Sequence, residues 1–223
     1  MQKLLIKPPI VQVAVDMLNI DDALRVAEAA VKAGADWIEA GTPLITFEGV
    51  KAIGALARAF PGVPVLADYK MMDGVFKYVA ETAKQGGRLA TICAVASDAS
   101  IKEAVRAASE SGVTLLTDLY AAPDLAARAA QMAEWGVDSV YVHWGSDQRR
   151  ELPDYDPLTG LTSALESVSI PVGVGTFSIA DGVRAFKTGA DIAVIGFPLI
   201  QGDNIEAVLR EFVDRGKAAY RPR

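Results

Sequence analysis

Cysteine and histidine are almost missing from this chain of 223 residues, which has one of each, Cys93 and His143. A single cysteine cannot form an intramolecular disulfide and is typical of proteins in a reducing compartment. With so few of these side chains, the sequence also lacks the clusters from which zinc sites are built. We therefore expect a cytoplasmic protein without a disulfide framework or a zinc centre.

Positive charge and long apolar runs are scarce as well. The 22 lysines and arginines are outnumbered by 28 aspartates and glutamates, which gives a net charge of −6. A general nucleic-acid-binding protein would need a basic face, so no nucleic-acid partner is expected, although a few local donors could still bind a small anion. No apolar run approaches the roughly 18 residues of a membrane span. Lys7, Pro8, Pro9 and Asp16 interrupt the apolar N-terminus before a signal peptide can form.

One pattern recurs along the chain: an Ala-rich helical stretch, a glycine, and a short apolar run that ends in polar residues or glycine. It is seen in the segments AEAAVKAGADWIEAGTP, AAQMAEWGVDSVYVHWG and GVRAFKTGADIAVIGFP. The Gly-Ala-Asp or Gly-Val-Asp element fits a helix C-cap, where glycine tolerates a left-handed backbone. Near-continuous apolar runs are typical of strands that are covered on both faces.

Repetition of this unit predicts eight strands, at 11–16, 36–40, 63–68, 88–94, 113–118, 138–143, 171–175 and 191–196. Helices are predicted between them at 21–33, 48–59, 75–85, 100–111, 123–135 and 179–188. Strict alternation implies parallel strands with right-handed crossovers. Eight units in 223 residues favour a single (β/α)8 TIM barrel domain over an open doubly wound sheet. The long connection at 144–160 is expected to be irregular and, because of its length, functional.

Polar side chains collect at the predicted strand ends, where the active site of such a barrel lies. They are Asp16, Glu39, Thr42, Asp68, Lys70, Asp73, Asp118, His143 and Asp147. Side chains two apart in a strand share a face, so Asp68 and Lys70 should point the same way. Asp118 and Asp147 could equally be the first solvated positions of their loops.

Asp16 and Glu39 are flanked by apolar residues, and carboxylates there need a cation or hydrogen-bond donors. One interpretation is a structural salt-bridge network completed by Lys70. The other is a divalent metal, for which carboxylates without cysteine or clustered histidine suit Mg²⁺ better than zinc.

Three further features of the strand ends are relevant to function: a histidine, a cysteine and a pair of glycines. His143 follows the sixth strand and has the side chain best suited to moving protons near neutral pH, although a lone histidine can be structural. Cys93 is expected to pack as a small apolar residue. Gly175 and Gly196 follow the last two strands, where barrels often bind phosphate through backbone N–H groups, although tight turns would explain them too.

The stretch DYKMMD, at 68–73, resembles the Asp-x-Lys-x-x-Asp signature of the orotidine monophosphate decarboxylase superfamily. Neighbouring motifs narrow the resemblance: QVAVD at 12–16, IEAGTPLI at 38–45, EGVKAI at 48–53, LADYKMMD at 66–73 and SDASIKEAV at 97–105. Together they resemble the group of 3-hexulose-6-phosphate synthases and 3-keto-L-gulonate-6-phosphate decarboxylases. The resemblance runs in order from about residue 11 to residue 200.

The resemblance implies a Mg²⁺-dependent enzyme that acts on a sugar phosphate through an enediolate. Glu39 and Asp68 would hold the metal, and Lys70 would add positive charge at the enediolate. Asp16 and Asp73 would orient Lys70 and the substrate hydroxyls. The position of Asp73 reaches the neighbouring subunit's site in this family, which implies a homodimer with shared active sites. His143 would transfer the proton.

The same resemblance favours the synthase, which adds formaldehyde to ribulose 5-phosphate, over the decarboxylase. Ser146 stands where the decarboxylases have arginine, and VHWGSDQ resembles the synthase pattern His-x-Gly-x-Asp. The expected substrate-binding residues are Gln12, Thr42, Asp118, Asp147, Gly175, Thr176, Gly196 and Phe197.

Two positions depart from the family, which usually has paired glycines after the last two strands. Thr176 and Phe197 replace the second glycine of each pair. We expect the Thr176 hydroxyl to substitute for a lost donor, whereas Phe197 narrows the phosphate pocket. Arg149 and Arg150, in the long connection, could bind a phosphate from another direction. The alternatives are a lyase acting on another keto-sugar and a non-catalytic sugar-phosphate-binding barrel.

Overall fold

Eight parallel strands close into a barrel in the order of the sequence, and the eighth pairs with the first. The structure is a computed structural model that describes residues 2–223. The strands are β1 Ile10–Val15, β2 Trp37–Ala40, β3 Val65–Met71, β4 Leu89–Cys93, β5 Thr114–Asp118, β6 Ser139–Val142, β7 Val172–Thr176 and β8 Ile192–Ile195. This arrangement confirms the predicted (β/α)8 barrel.

Helices surround the barrel and connect each strand to the next. They are α1 Ile20–Ala33, α2 Thr42–Glu48, α3 Lys51–Ala59, α4 Val75–Lys84, α5 Asp98–Ser111, α6 Leu125–Trp135, α7 Ser146–Glu151, α8 Leu161–Ser167, α9 Ile179–Thr188 and α10 Ile205–Ala219. The strands are buried on both faces, as their unbroken apolar runs predict. Within residues 2–223, no helix is both long and apolar enough to span a bilayer.

The three Gly-x-Asp elements end helices α1, α6 and α9 as expected. Their glycines, at 34, 136 and 189, have φ values of 92°, 93° and 108°, a left-handed conformation that favours glycine. Two residues further on, an aspartate accepts a backbone N–H from the neighbouring strand at 2.7–2.9 Å. Each of these carboxylates also binds a cation near a chain end; the pairs are Asp36–Lys217, Asp138–Lys3 and Asp191–Arg223. They tie the chain ends to the N-terminal end of the barrel.

Three predicted boundaries were wrong. The predicted helix 48–59 begins only at Lys51, because Glu48 ends a separate helix, α2, and Gly49 behind it has a φ of 73°. Thr42 therefore begins a helix instead of ending a strand. The connection 144–160 is not wholly irregular, since α7 lies within it. The third strand continues past residue 68 to Met71, although its register with β4 shifts between Ala67 and Met71.

Candidate active site

A cavity of about 500 Å³ opens at the C-terminal ends of the strands. Every residue that the sequence placed in the site lines this cavity except Asp73. Asp73 lies on the exposed turn after β3 and faces solvent in the single chain. The strand ends therefore converge as the barrel requires, while the individual roles of these side chains stay predictions.

Asp68 is the most heavily bonded carboxylate of the cavity. Its Oδ2 accepts hydrogen bonds from Lys70 Nζ and Thr42 Oγ1, both at 2.6 Å, and its Oδ1 accepts one from Thr91 Oγ1 at 2.6 Å. A buried carboxylate with three donors is held in one orientation. Neighbouring elements of the barrel thus fix Asp68 from three directions.

Lys70 reaches the cavity because the backbone of β3 leaves regular strand geometry there. Its φ is 48°, an uncommon value for a residue with a side chain, and its backbone N–H donates to Thr91 Oγ1 at 3.1 Å. Its ammonium lies 2.6 Å from Asp68 Oδ2 and 3.4 Å from Asp118 Oδ2. Burial by itself would lower the pKa of Lys70, but the carboxylates of Asp68, Asp118 and Glu39 raise it above its ordinary value. The side chain is therefore a fixed cation.

Asp118 connects Lys70 to the histidine. His143 Nδ1 lies 2.8 Å from Asp118 Oδ2, and the Tyr120 N–H donates to Asp118 Oδ1 at 2.9 Å. Burial alone would raise the pKa of Asp118, but the contact with His143, the charge of Lys70 and the Tyr120 N–H lower it. An ionised Asp118 only accepts hydrogen bonds, so Nδ1 carries the hydrogen and the Nε2 of a neutral His143 is left as an acceptor.

Glu39 and Asp16 carry the unbalanced negative charge of the site. Burial raises the pKa of the Glu39 carboxyl well above its ordinary value, and the charges of Asp68 and Asp16 raise it further. The pKa of Asp16 is also raised, first because nearby protein atoms displace water from its carboxyl group and second because Asp68 is negatively charged. The residue as a whole is nevertheless exposed at the mouth of the barrel. The Asp16 carboxylate lies against Gly41, where any Cβ would collide with it.

The donor set fits Mg²⁺. Carboxylates line the cavity with a single lysine, and repulsion among Asp16, Glu39 and Asp68 raises the pKa of the first two. Within residues 2–223 no group of three His, Cys, Asp or Glu side chains is arranged to hold a metal, so the protein offers fewer ligands than a closed zinc site needs. Mg²⁺ is commonly held by one or two carboxylates, with water and substrate oxygens completing its shell.

The opposite wall of the cavity is formed by the ends of β7 and β8. The Thr176 hydroxyl donates to the Val194 carbonyl oxygen at 2.7 Å, and its role as a replacement for a lost donor stays a prediction. A Cβ at Gly196 would lie 3.0 Å from the Ala14 carbonyl oxygen, which favours glycine there. Phe197 is 46% exposed and is followed by Pro198, which has no N–H. Pro198 therefore adds no backbone donor to this wall.

The long connection forms the rim of the cavity. Asp147 stands in the first turn of α7 with a side chain that is 92% exposed, 3.9 Å from Arg150. Trp144 lines the cavity and stacks on Tyr155 with ring centroids 3.8 Å apart. Arg149 lies over the ring of Phe177, 4.4 Å from its centroid, and Phe177 follows Thr176 in the cavity wall.

Sequence reasoning missed several residues of the cavity, notably Thr91, Tyr120, Tyr141, Trp144 and Phe177. A threonine inside the apolar strand LATIC was a usable signal for Thr91. The aromatic side chains gave none, because such residues are equally common in barrel cores. Cys93 is buried as expected, and burial together with Asp118 raises the pKa of its thiol to about 11, so it is not a nucleophile near neutral pH.

Fold and site together define a (β/α)8 barrel with an acidic, lysine-bearing site at its C-terminal end. The family model described as Orotidine 5'-phosphate decarboxylase / HUMPS family matches residues 9–212. The chain therefore belongs to this family, as its motifs predicted.

Individual relatives match almost the whole chain. A protein named 3-hexulose-6-phosphate synthase 2, from Staphylococcus saprophyticus, is 35% identical in an alignment of 212 residues that covers 91% of this chain and 96% of the relative. The crystal structure of a 3-hexulose-6-phosphate synthase has 33% identity and a TM-score of 0.86, covering 95% of this chain and 99% of that one. The crystal structure of a 3-keto-L-gulonate-6-phosphate decarboxylase from Vibrio cholerae has a TM-score of 0.82 over 96% of this chain and 100% of that one, and at 20% identity it shows the fold alone.

Proposed function

We propose that the protein is a Mg²⁺-dependent aldehyde-lyase that adds formaldehyde to ribulose 5-phosphate and gives a 3-hexulose 6-phosphate. The observation that carries the proposal is the arrangement of Glu39 and Asp68 beside the fixed cation Lys70, with His143 on Asp118 also lining the cavity. The names of the synthase relatives give the product, and the substrates are those that the resemblance of the sequence motifs implies.

Glu39 and Asp68 would hold Mg²⁺, which supplies Lewis-acid stabilisation of negative charge on the substrate's carbonyl and hydroxyl oxygens. The His143 Nε2 would take a proton from C1 of ribulose 5-phosphate, which leaves an enediolate across C1 and C2. Lys70 would stabilise that charge without moving a proton, since its pKa is raised. C1 then forms a bond to the formaldehyde carbon, and the protonated His143 returns its proton to the formaldehyde oxygen.

A direct assay tests this function. With Mg²⁺, ribulose 5-phosphate and formaldehyde, we expect loss of formaldehyde that stops when a chelator removes the metal and resumes when Mg²⁺ is restored. Turnover that continues in the presence of the chelator would contradict the proposed dependence on Mg²⁺. No turnover, together with release of CO₂ from a keto-acid sugar phosphate, would replace the synthase by the decarboxylase. Binding of the sugar phosphate without either reaction would favour a non-catalytic barrel.

The phosphate end of the substrate has few positive partners. Lys70 is engaged by Asp68 and Asp118, and no other lysine or arginine lines the cavity among residues 2–223. No carboxylate lies within salt-bridge distance of Arg149 among residues 2–223, and its guanidinium rests on Phe177 in the cavity wall. We therefore propose that Arg149, and not its neighbour Arg150, binds the phosphate.

Arg149→Met should raise the KM for ribulose 5-phosphate about tenfold and change kcat little, because the phosphate is remote from the reacting carbons. Inorganic phosphate should also inhibit this variant less. Arg150→Met is the matched control, since Arg150 is the next residue of α7 and 85% exposed. Equal effects of the two changes on KM would contradict a specific role for Arg149.

A homodimer with shared sites is also proposed. Asp73 is exposed in the single chain and does not line its own cavity. The exposed apolar side chains Met72 and Phe76 flank it along the chain, as expected for a surface that a second copy covers. A monomer by light scattering at assay concentration would contradict this proposal.

A further inference from the structure

Two buried hydrogen bonds cross the barrel interior and end on a proposed metal ligand. The Tyr141 hydroxyl, on β6, donates to Gln12 Oε1 on β1 at 2.6 Å. The Gln12 Nε2 donates in turn to Glu39 Oε2 on β2 at 2.5 Å. Gln12 is 1% exposed, and Tyr141 and Glu39 are each 7% exposed, so water competes little for these contacts.

The barrel makes room for the tyrosine ring at one specific position. Tyr141 pairs across β6 and β7 with Gly173. A Cβ at Gly173 would lie 2.5 Å from two atoms of the Tyr141 ring, closer than any real Cβ contact. The glycine therefore permits a large aromatic side chain inside the barrel, and the ring brings its hydroxyl to Gln12.

The Glu39 carboxylate settles which way the Gln12 amide faces, and the Tyr141 hydroxyl holds the amide in that position. A glutamine amide has an oxygen that accepts and a nitrogen that donates, and rotation by half a turn exchanges them. Because an ionised carboxylate only accepts hydrogen bonds, the amide nitrogen faces Glu39 and donates to one of its oxygens, and the amide oxygen is left to accept the Tyr141 hydroxyl. The reversed amide would place an oxygen against a carboxylate oxygen, which is repulsive. Tyr141 thus anchors the Gln12 amide on the side away from Glu39, and the anchored amide holds Glu39 in one orientation.

We propose that Tyr141 is a positioning residue for the metal site and acts on Glu39 through the Gln12 amide. The inference rests on the proposed function, in which Glu39 holds Mg²⁺. Residues that hydrogen-bond to a metal ligand commonly fix the orientation of that ligand, and their loss typically weakens metal binding about 10–100-fold.

Tyr141→Phe tests the inference because it keeps the ring beside Gly173 and removes only the hydroxyl. We expect calorimetric titration with Mg²⁺ to give a Kd about tenfold weaker than that of the unmodified chain. Turnover should approach the unmodified kcat once Mg²⁺ is saturating. Tyr69→Phe is the matched control, since the Tyr69 hydroxyl contacts Thr82, 3.3 Å away, and lies outside the cavity.

A double-mutant cycle tests whether Tyr141 acts through Gln12. Gln12→Met should weaken Mg²⁺ binding at least as much as Tyr141→Phe, and the double variant should bind no more weakly than Gln12→Met alone. Circular dichroism and thermal unfolding would confirm that each variant is folded.

The outcomes separate this inference from the proposed function. A Kd for Tyr141→Phe within twofold of the unmodified value, or independent effects that multiply in the double variant, would overturn the positioning role. Mg²⁺ binding that weakens as expected in a chain that does not consume formaldehyde would retain the role and reject the function. Absence of Mg²⁺ binding by the unmodified chain would overturn both.

Discussion

Lys70→Ala is expected to lower kcat about a thousandfold while the barrel stays folded. Lys70 is the only lysine or arginine that lines the cavity among residues 2–223, and its ammonium would face the negative charge that develops on the enediolate oxygens. Removing one fixed partner of such a charge typically costs a factor of about 10²–10³. The fold should survive because Asp68 keeps its bonds to Thr42 and Thr91, and Asp118 keeps His143.

The measurements for this variant are kcat, the Kd for Mg²⁺ and the thermal midpoint. Lys84→Ala is the control, since Lys84 lies on α4, is 74% exposed and pairs only with Glu81 among the described residues. A Lys70→Ala enzyme that retains more than a tenth of the unmodified kcat would show that the cluster at β3 is structural.

Asp118→Asn is expected to lower kcat by about 10³ with little change in the KM for ribulose 5-phosphate. An amide has nearly the shape of the carboxylate, but it no longer requires His143 Nδ1 to carry the hydrogen. The imidazole can then adopt the other tautomer, with Nε2 protonated and unable to accept a proton. Protonated His143 also loses the anion that stabilises it, and Lys70 loses one of its two closest counter-charges.

Steady-state kinetics of Asp118→Asn should be compared with those of Asp98→Asn. Asp98 begins α5, is 57% exposed and pairs with Arg128 away from the cavity. If both variants kept most of the unmodified kcat, the interaction of Asp118 with His143 would be structural, and another group would have to move the proton.

The fold could be predicted largely from the sequence because its signals are local. Each Gly-x-Asp element ends a helix and precedes a strand within a few residues, and the unbroken apolar runs between them show burial on both faces. The ends of parallel strands then had to meet, which placed Glu39, Asp68 and His143 in one cavity before any contact was known.

Details that depend on distant residues could not be read in this way. The positive φ of Lys70 accompanies a register shift between two strands, which the run LADYKM does not reveal. Gln12 and Tyr141 are 129 positions apart, and nothing near either one indicates the contact. Thr176 was expected to donate to a ligand because it replaces a glycine of the family, and nothing near it in the sequence indicates its hydrogen bond to the Val194 carbonyl of the adjacent strand.

The three aspartates that follow the capping glycines make structural contacts at one end of the barrel, whereas the cavity lies at the other end. Asp36, Asp138 and Asp191 lie at the end remote from the cavity, and each has both a backbone donor and a cation. At the other end, the charges of Glu39, Asp16 and Asp68 repel one another, and Lys70 is the single lysine or arginine of the described residues that lines the cavity with them. The remote contacts of these three aspartates do not involve the residues that line the cavity. Thr176 and Phe197, which depart from the family, lie at the cavity end, so the contacts that tie down the chain ends do not depend on them.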